Sequence, residues 1–214
     1  MNSTPVTDPA HPGDSPLSLF PLQAVLFPDG LLQLKVFEAR YLDLVTHCLR
    51  SGLPFGVVCL RQGSEVGRSK GPVRLEDVGV QARIDEVDGE QPGILKVRCI
   101  GLQRFRLAGT PTQLADGLWQ SATLPVEPDA RRVPGPAMFD TVKALSNAIA
   151  SLRDRGPLPF AEPFRLDDAG WVANRWCELL PIPLSAKYKL MALEDPVVRL
   201  SVVDGYLRDK QVVR

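Results

Sequence analysis

Apolar residues run in short, strand-length stretches from Leu17 to about Pro128 and change to helical spacing beyond Pro136. A short apolar strand opens the first part. Val25-Leu26-Phe27 and Leu31 to Phe37 then flank a turn at Phe27-Pro28-Asp29-Gly30. Phe55 to Leu60 is a continuous apolar run of buried-strand length. Val78, Val80, Ala82 and Ile84 alternate with Gly79, Gln81, Arg83 and Asp85, the pattern of a strand with one face covered that extends towards Val87. Gly89 to Gly93, with Pro92, supplies a hairpin turn, after which Ile94 to Ile100, Gln103 to Leu107 and Trp119 to Val126 read as further strands. One helix interrupts them. From Glu38 to Arg50, Tyr41, Leu44, Val45, Cys48 and Leu49 form a stripe at three-and-four spacing, and Gly52 ends it.

Beyond the Pro-rich linker Glu127 to Pro136, Met138, Val142, Leu145, Ile149 and Leu152 predict an amphipathic helix stopped by Gly156-Pro157. Asp167 or Asp168 suits the cap of a second, carrying Trp171, Val172, Trp176, Leu179 and Leu180. Ser185 suits the cap of a third through Tyr188, Leu190, Met191 and Leu193. Asp195-Pro196 is a cap followed by proline at the first helical position, opening a fourth through Leu200, Val203 and Leu207. The organisation predicted is a disordered tail over 1–15, a β-barrel subdomain over 16–129 and a helical subdomain over 130–214. The fold class is α+β, since strands precede helices rather than alternating with them.

At 214 residues and 44% apolar the chain can fill a real core. Lys+Arg and Asp+Glu both number 25, so the formal net charge is zero and no bulk attraction to nucleic acid is expected. The segment before Pro16 has no apolar run of the secretory kind, and no stretch reaches the length that spans a bilayer. A cytoplasmic protein without membrane contact follows as the expectation. Cys48, Cys59, Cys99 and Cys177 each lie in an apolar stretch without Cys-x-x-Cys spacing, which suits reduced core thiols.

Chemistry finds little purchase. Gly63 to Gly71 has the wrong spacing for a phosphate loop. His11 and His47 are the only histidines, so neither a metal centre nor a histidine-based nucleophile is expected, and no cofactor is called for. Ser69-Lys70 and Ser185/Lys187 are the remaining nucleophile–base pairs, and neither sits in a strained elbow. The acidic turn Asp85 to Glu90 lacks the ligand spacing of a calcium loop. Arg104 and Arg106 alternate with Phe105, which is expected to point inward while the arginines are solvated. Single-stranded RNA could use such interleaving, and a continuous positive face from Arg98, Arg104, Arg106, Arg131 and Arg132 would favour it.

Several motifs resemble the LON domain, the N-terminal substrate-recognising part of ATP-dependent Lon proteases, which also occurs as a stand-alone protein. They are Phe20-Pro21-Leu22, Leu26-Phe27-Pro28-Asp29-Gly30 and Phe37-Glu38-Ala39-Arg40-Tyr41, then Gly79-x-x-Ala82-x-Ile84 and Gly101-x-x-Arg104-Phe105. Leu180 to Met191 and Asp195 to Leu200 look like the closing helices, so the resemblance covers about residues 17–207. It implies a PUA-like β-barrel of about six strands with one inserted helix, followed by a helical bundle. It implies recognition of exposed or unfolded polypeptide, in an adaptor-like role, by a protein that is not an enzyme. The ATPase and Ser-Lys peptidase parts of the full protease are not legible here. The alternative is RNA binding by the PUA-like barrel.

Within the resembling motifs, Glu38 is expected in the first helical turn, Arg40 in a pair with a carboxylate, and Phe37 and Tyr41 as anchors of the helix. A surface that grips unfolded chains needs exposed apolar area, and turns are where apolar side chains escape burial most easily. Phe27 and Leu31, flanking the first turn, and Trp119, after Asp116-Gly117, are therefore the candidate peptide-binding residues. Core packing is the competing reading for each.

Overall fold

The computed structural model describes residues 16–63, 65 and 72–213. The expected tail, most of the Gly63 to Gly71 loop and the Ser69-Lys70 pair lie outside the described residues. Among the described residues eight strands come first: β1 (Leu17–Leu22), β2 (Leu31–Val36), β3 (Phe55–Gln62), β4 (Arg74–Gln91), β5 (Ile94–Leu107), β6 (Thr112–Gln113), β7 (Trp119–Ser121) and β8 (Thr123–Pro125). Helix α1 (Ala39–Ser51) lies between β2 and β3. After a 3-10 turn at Pro136–Met138 come α2 (Phe139–Arg153), α3 (Ala169–Leu179), α4 (Leu184–Ala192) and α5 (Pro196–Asp209).

The strands form one mixed sheet in the order β2-β5-β4-β3-β1-β7-β6, with β8 also on β5. Among the described residues only β1 and β3 pair in parallel, joined by the crossover through β2 and α1. The expected barrel of about six strands is corrected here to an open sheet of eight. Its path ends at β2 and at β6, and β6 is two exposed residues, too short to carry a hydrogen-bonded ladder round to β2. Strand β5 is unusually long because it serves two short partners on one edge, β2 through Leu95 to Ile100 and β8 through Phe105 to Leu107. Its two halves, expected as separate strands, are continuous. Between them two residues, Leu102 and Gln103, face the single Gln81 of β4, a bulge in the ladder. At the far end Pro92-Gly93 closes the hairpin, with Gly93 at φ 80°.

Val25 to Phe27 is not a strand. The chain leaves the sheet after β1, drives Leu26 and Phe27 into the core at 4% and 0% exposure, and turns through Asp29 at φ 59°. Helix α1 buries Tyr41, Leu44, Val45 and Cys48, and Gly52 ends it in the left-handed region at φ 71°. Leu49, expected on the stripe, and Phe37, expected as an anchor, are instead exposed. Tyr41 alone anchors, stacked on Phe20 with ring centroids 3.9 Å apart. Glu38 stands at the N-cap position of α1 rather than in its first turn, and its carboxylate pairs with Arg40 at 2.9 Å.

Asp168 caps α3 by accepting from the amides of Gly170 and Trp171, and Asp195 does the same for Val197 and Val198 of α5. Ser185 is not a cap. Helix α4 begins one residue earlier, because the Pro183 carbonyl already accepts from Ala186 and Lys187. A single apolar cluster runs through both parts of the chain, from Phe20, Phe55 and Val80 of the sheet to Leu145, Trp171 and Leu200 of the helices. A second, small cluster joins Leu19, Val58 and Phe105.

Candidate functional site

Two arginine clasps hold the helices against the sheet, and a cleft lies where they meet. Arg175 of α3 is fully buried and reaches the first turn, donating to the carbonyls of Asp29 at 2.6 Å and Pro28 at 2.9 Å. Its guanidinium also lies over the rings of Trp171 and Phe160 and pairs with Glu178 at 2.7 Å. A β-carbon at residue 30 would collide with that Glu178 carboxylate, so the glycine of the Phe-Pro-x-Gly motif is needed for close approach. Burial pushes the Glu178 carboxyl up to about 7 against the pull of Arg175, and its Oε2 is sealed in without a hydrogen bond among the described residues.

The second clasp is a buried Arg–Asp–Arg triad. Asp129, in the linker, accepts from Arg104 of β5 at 2.6 Å and from both terminal nitrogens of Arg199 of α5, at 2.6 and 3.2 Å. Arg104 also donates to the carbonyls of Met191 and Leu193, and Arg199 to that of Leu190 and to Asn174 Oδ1 at 3.0 Å. Desolvation lowers the pKa of Arg104, Asp129 opposes that, and Arg199 adds to it. Arg104 therefore corrects the expectation that it is solvated beside Phe105. At this position the strand is covered on both faces, by the small apolar cluster around Phe105 on one side and by the carbonyls of Met191 and Leu193 and the linker Asp129 on the other. Phe105 is buried and Arg106 exposed, as the alternation predicts.

Between these clasps opens a cleft of about 650 Å³. Pro28 and Asp29 of the first turn, Gly101 to Arg104 of β5, Asp129, the 161–165 loop and the Asp168, Trp171 and Asn174 face of α3 line it. Arg165 closes one side by pairing with Asp29. Gly101 exchanges backbone hydrogen bonds with the turn, donating to Gly30 at 2.9 Å and accepting from Asp29 at 2.8 Å.

The candidate peptide-binding residues are not brought together. Phe27 is in the main core with no exposed surface; its neighbours Pro28 and Asp29, not Phe27 itself, reach the cleft. Leu31 is half-buried on β2, paired with Ile100. Trp119 is half-buried and packs on the small cluster of Leu19, Val58 and Phe105, away from the cleft lining. Arg175, Arg199, Asp129 and Asn174 escaped sequence reading. A partial signal was present: Trp171-Val172-Ala173-Asn174-Arg175-Trp176-Cys177 is apolar at five of its seven positions, so a helix carrying it is largely buried, and a charge within it must be paired.

The other candidates for chemistry are spent on structure. His47 is exposed on α1. Lys187 donates to the Glu178 carbonyl at 3.1 Å while Ser185 is exposed on the helix. The four cysteines are buried and free, and burial pushes Cys59 up to about 11 and Cys99 and Cys177 to about 12. No group of three metal-ligating side chains occurs among the described residues, and no helix there is long and apolar enough to cross a membrane.

Open mixed sheet, helical layer and inter-layer cleft define an α+β protein of Lon N-terminal-like fold. The sequence profile of the ATP-dependent protease La (LON) substrate-binding domain matches residues 16–209, and the chain belongs to that family. It is similar to a Lon N-terminal domain protein from Xanthomonas campestris, 30% identical over 90% of this chain and 98% of that one, with a TM-score of 0.72. The N-terminal domain of the Mycobacterium avium complex Lon protease shares the fold at 17% identity, with a TM-score of 0.59 over 91% of this chain and 99% of that one. No curated protein matches the chain.

Proposed function

We propose that this protein captures exposed or unfolded polypeptide in the cleft between sheet and helices, holding its client without cutting it. The observation that carries this reading is the cleft itself: it is large enough for a short extended segment, and its walls are fixed by two buried arginine clasps. A rigid frame lowers the ordering cost of binding, which is what a module gripping floppy clients needs. Membership of a substrate-binding domain family points the same way. The role is that of an adaptor presenting clients to separate proteolytic machinery, and the four reduced, buried thiols suit a cytoplasmic setting.

RNA binding by a PUA-like sheet is the weaker reading. Of the arginines that would have to form a positive face, Arg98 pairs with Asp85 and Glu86, Arg104 with Asp129, Arg106 with Glu194 and Arg131 with Asp167. Phosphate would have to compete with each carboxylate. The test is fluorescence anisotropy with a labelled protein in two forms, native and permanently unfolded by reduction and carboxymethylation. Saturable binding of the unfolded form alone is expected. Equal indifference to both, or preference for a single-stranded oligonucleotide, overturns the proposal.

A further inference from the structure

The geometry points to a cleft that reads its client through the neutral amides of the main chain, with Asn174 as donor and Gln103 as acceptor. This inference rests on the polypeptide-capture reading and adds what part of the polypeptide is recognised. Asn174 is only 3% exposed, yet it lines the cleft. Its Oδ1 must face Arg199, which donates to it at 3.0 Å, and this fixes which end of the carboxamide points where. Its amide nitrogen then has no acceptor among the described residues and is not one of the sealed polar atoms, so it opens on the cleft. A buried donor left open to a cavity is a group with a partner to find.

Gln103 mirrors it from the sheet. Its Nε2 is committed to the Val126 carbonyl at 3.1 Å, which leaves Oε1 as an acceptor. One carboxamide donor and one carboxamide acceptor, from α3 and β5, complement the C=O and N–H of a peptide unit. The strand beneath adds to this. Partner strands cover that edge of β5 up to Ile100 and again from Phe105, Gly101 is bonded to the first turn, and the Arg104 carbonyl accepts from Val126. No strand residue pairs with Leu102 or Gln103 there among the described residues, so the bulge leaves a short gap into which an extended segment fits.

Charge argues for a neutral group. In the lining Arg104 pairs with Asp129, whose second partner Arg199 lies behind the lining and is spent on the Leu190 and Leu193 carbonyls and Asn174 Oδ1; Arg165 pairs with Asp29, and Glu162 pairs with Arg153. Arg83 and the capping Asp168 remain, one of each sign. Nothing in the lining selects a terminal carboxylate, a phosphate or a basic side chain. The ligand is an internal, extended stretch of polypeptide taken with little regard to its side chains.

The experiment uses an unstructured peptide of about ten residues, acetylated and amidated at its ends, its shuffled sequence, and versions methylated on successive main-chain nitrogens. Shuffling and salt from about 50 to 500 mM are expected to leave affinity within about threefold, since no net charge is read. Methylation at a central nitrogen removes one donor and is expected to weaken binding about tenfold, as is Gln103→Ala, whose side chain is exposed. Asn174→Ser is expected to do the same, its melting temperature serving as the control for fold. Undiminished binding of every methylated peptide, or of Gln103→Ala, overturns main-chain reading while leaving capture intact. A steep loss with salt assigns recognition to charge instead. If the unmodified protein binds no unfolded chain at all, both proposals fall.

Discussion

Asp129 shows how much one side chain can hold. It lies in a linker that reads as a boundary, yet it is the shared counter-charge of two arginines buried to 3% and 1% exposure. Asp129→Ala leaves both uncompensated, and removing one partner of a buried ion pair typically costs about 3–5 kcal/mol, so denaturant unfolding should report a loss of that size. Phe27→Ala should cost about as much, about 3–5 kcal/mol, because the side chain is wholly in the core. That loss would confirm Phe27 as packing rather than client surface; an unchanged stability would contradict it. Glu178 predicts a pH effect of definite sign. Its carboxyl rises from an ordinary 4.5 to about 7 on folding, so between those values the folded chain holds a proton that the unfolded chain has released. Its protonation therefore favours the fold fully below the unfolded value, and this contribution is lost as pH rises through about 7. Glu178→Gln removes the titration. From about pH 5 to 8 the wild-type melting temperature should fall relative to that of the variant, and a constant difference would contradict the assignment.

At the scale of elements, the sequence was legible wherever local chemistry decides. Gly52 as a helix end, Asp167 or Asp168 and Asp195-Pro196 as helix starts, and Phe55 to Leu60 as a buried strand were all readable from neighbouring residues, and the structure chose Asp168. What was not legible depends on distant partners. Alternation along β5 assigns Arg104 to solvent, because period two separates two faces but cannot say that a helical layer covers the second one. Val25 to Phe27 has strand composition, but Pro28 and the left-handed Asp29 turn it into a plug. The strand count failed for a similar reason: β6, of two residues, and β8, of three, carry no periodicity to detect. The cleft was half visible. Its first turn and the Gly101-x-x-Arg104 segment were picked out by motif, while Asn174 and Arg175 were hidden in an apolar helix whose burial the pattern itself implied.

For the whole molecule, the division between strands and helices is one of sequence order, not of independent cores. The main apolar cluster takes residues from both, and the Arg175 and Asp129 clasps bridge them. A chain truncated after Asp129 should be molten or insoluble, without the near-ultraviolet circular dichroism of packed aromatics. A sharp cooperative melt of that fragment would contradict this.

The central claim, capture of unfolded polypeptide in the cleft, is tested most directly by site-specific photo-crosslinking. Because the four native cysteines are buried, a cysteine introduced at Ala161 in the cleft lining, or at Leu53, 59% exposed and outside it, can carry a benzophenone. Irradiation with an unfolded client should give a covalent adduct from position 161 and little from position 53. Equal adducts from both, or adducts from 53 alone, would place the client elsewhere and contradict the claim.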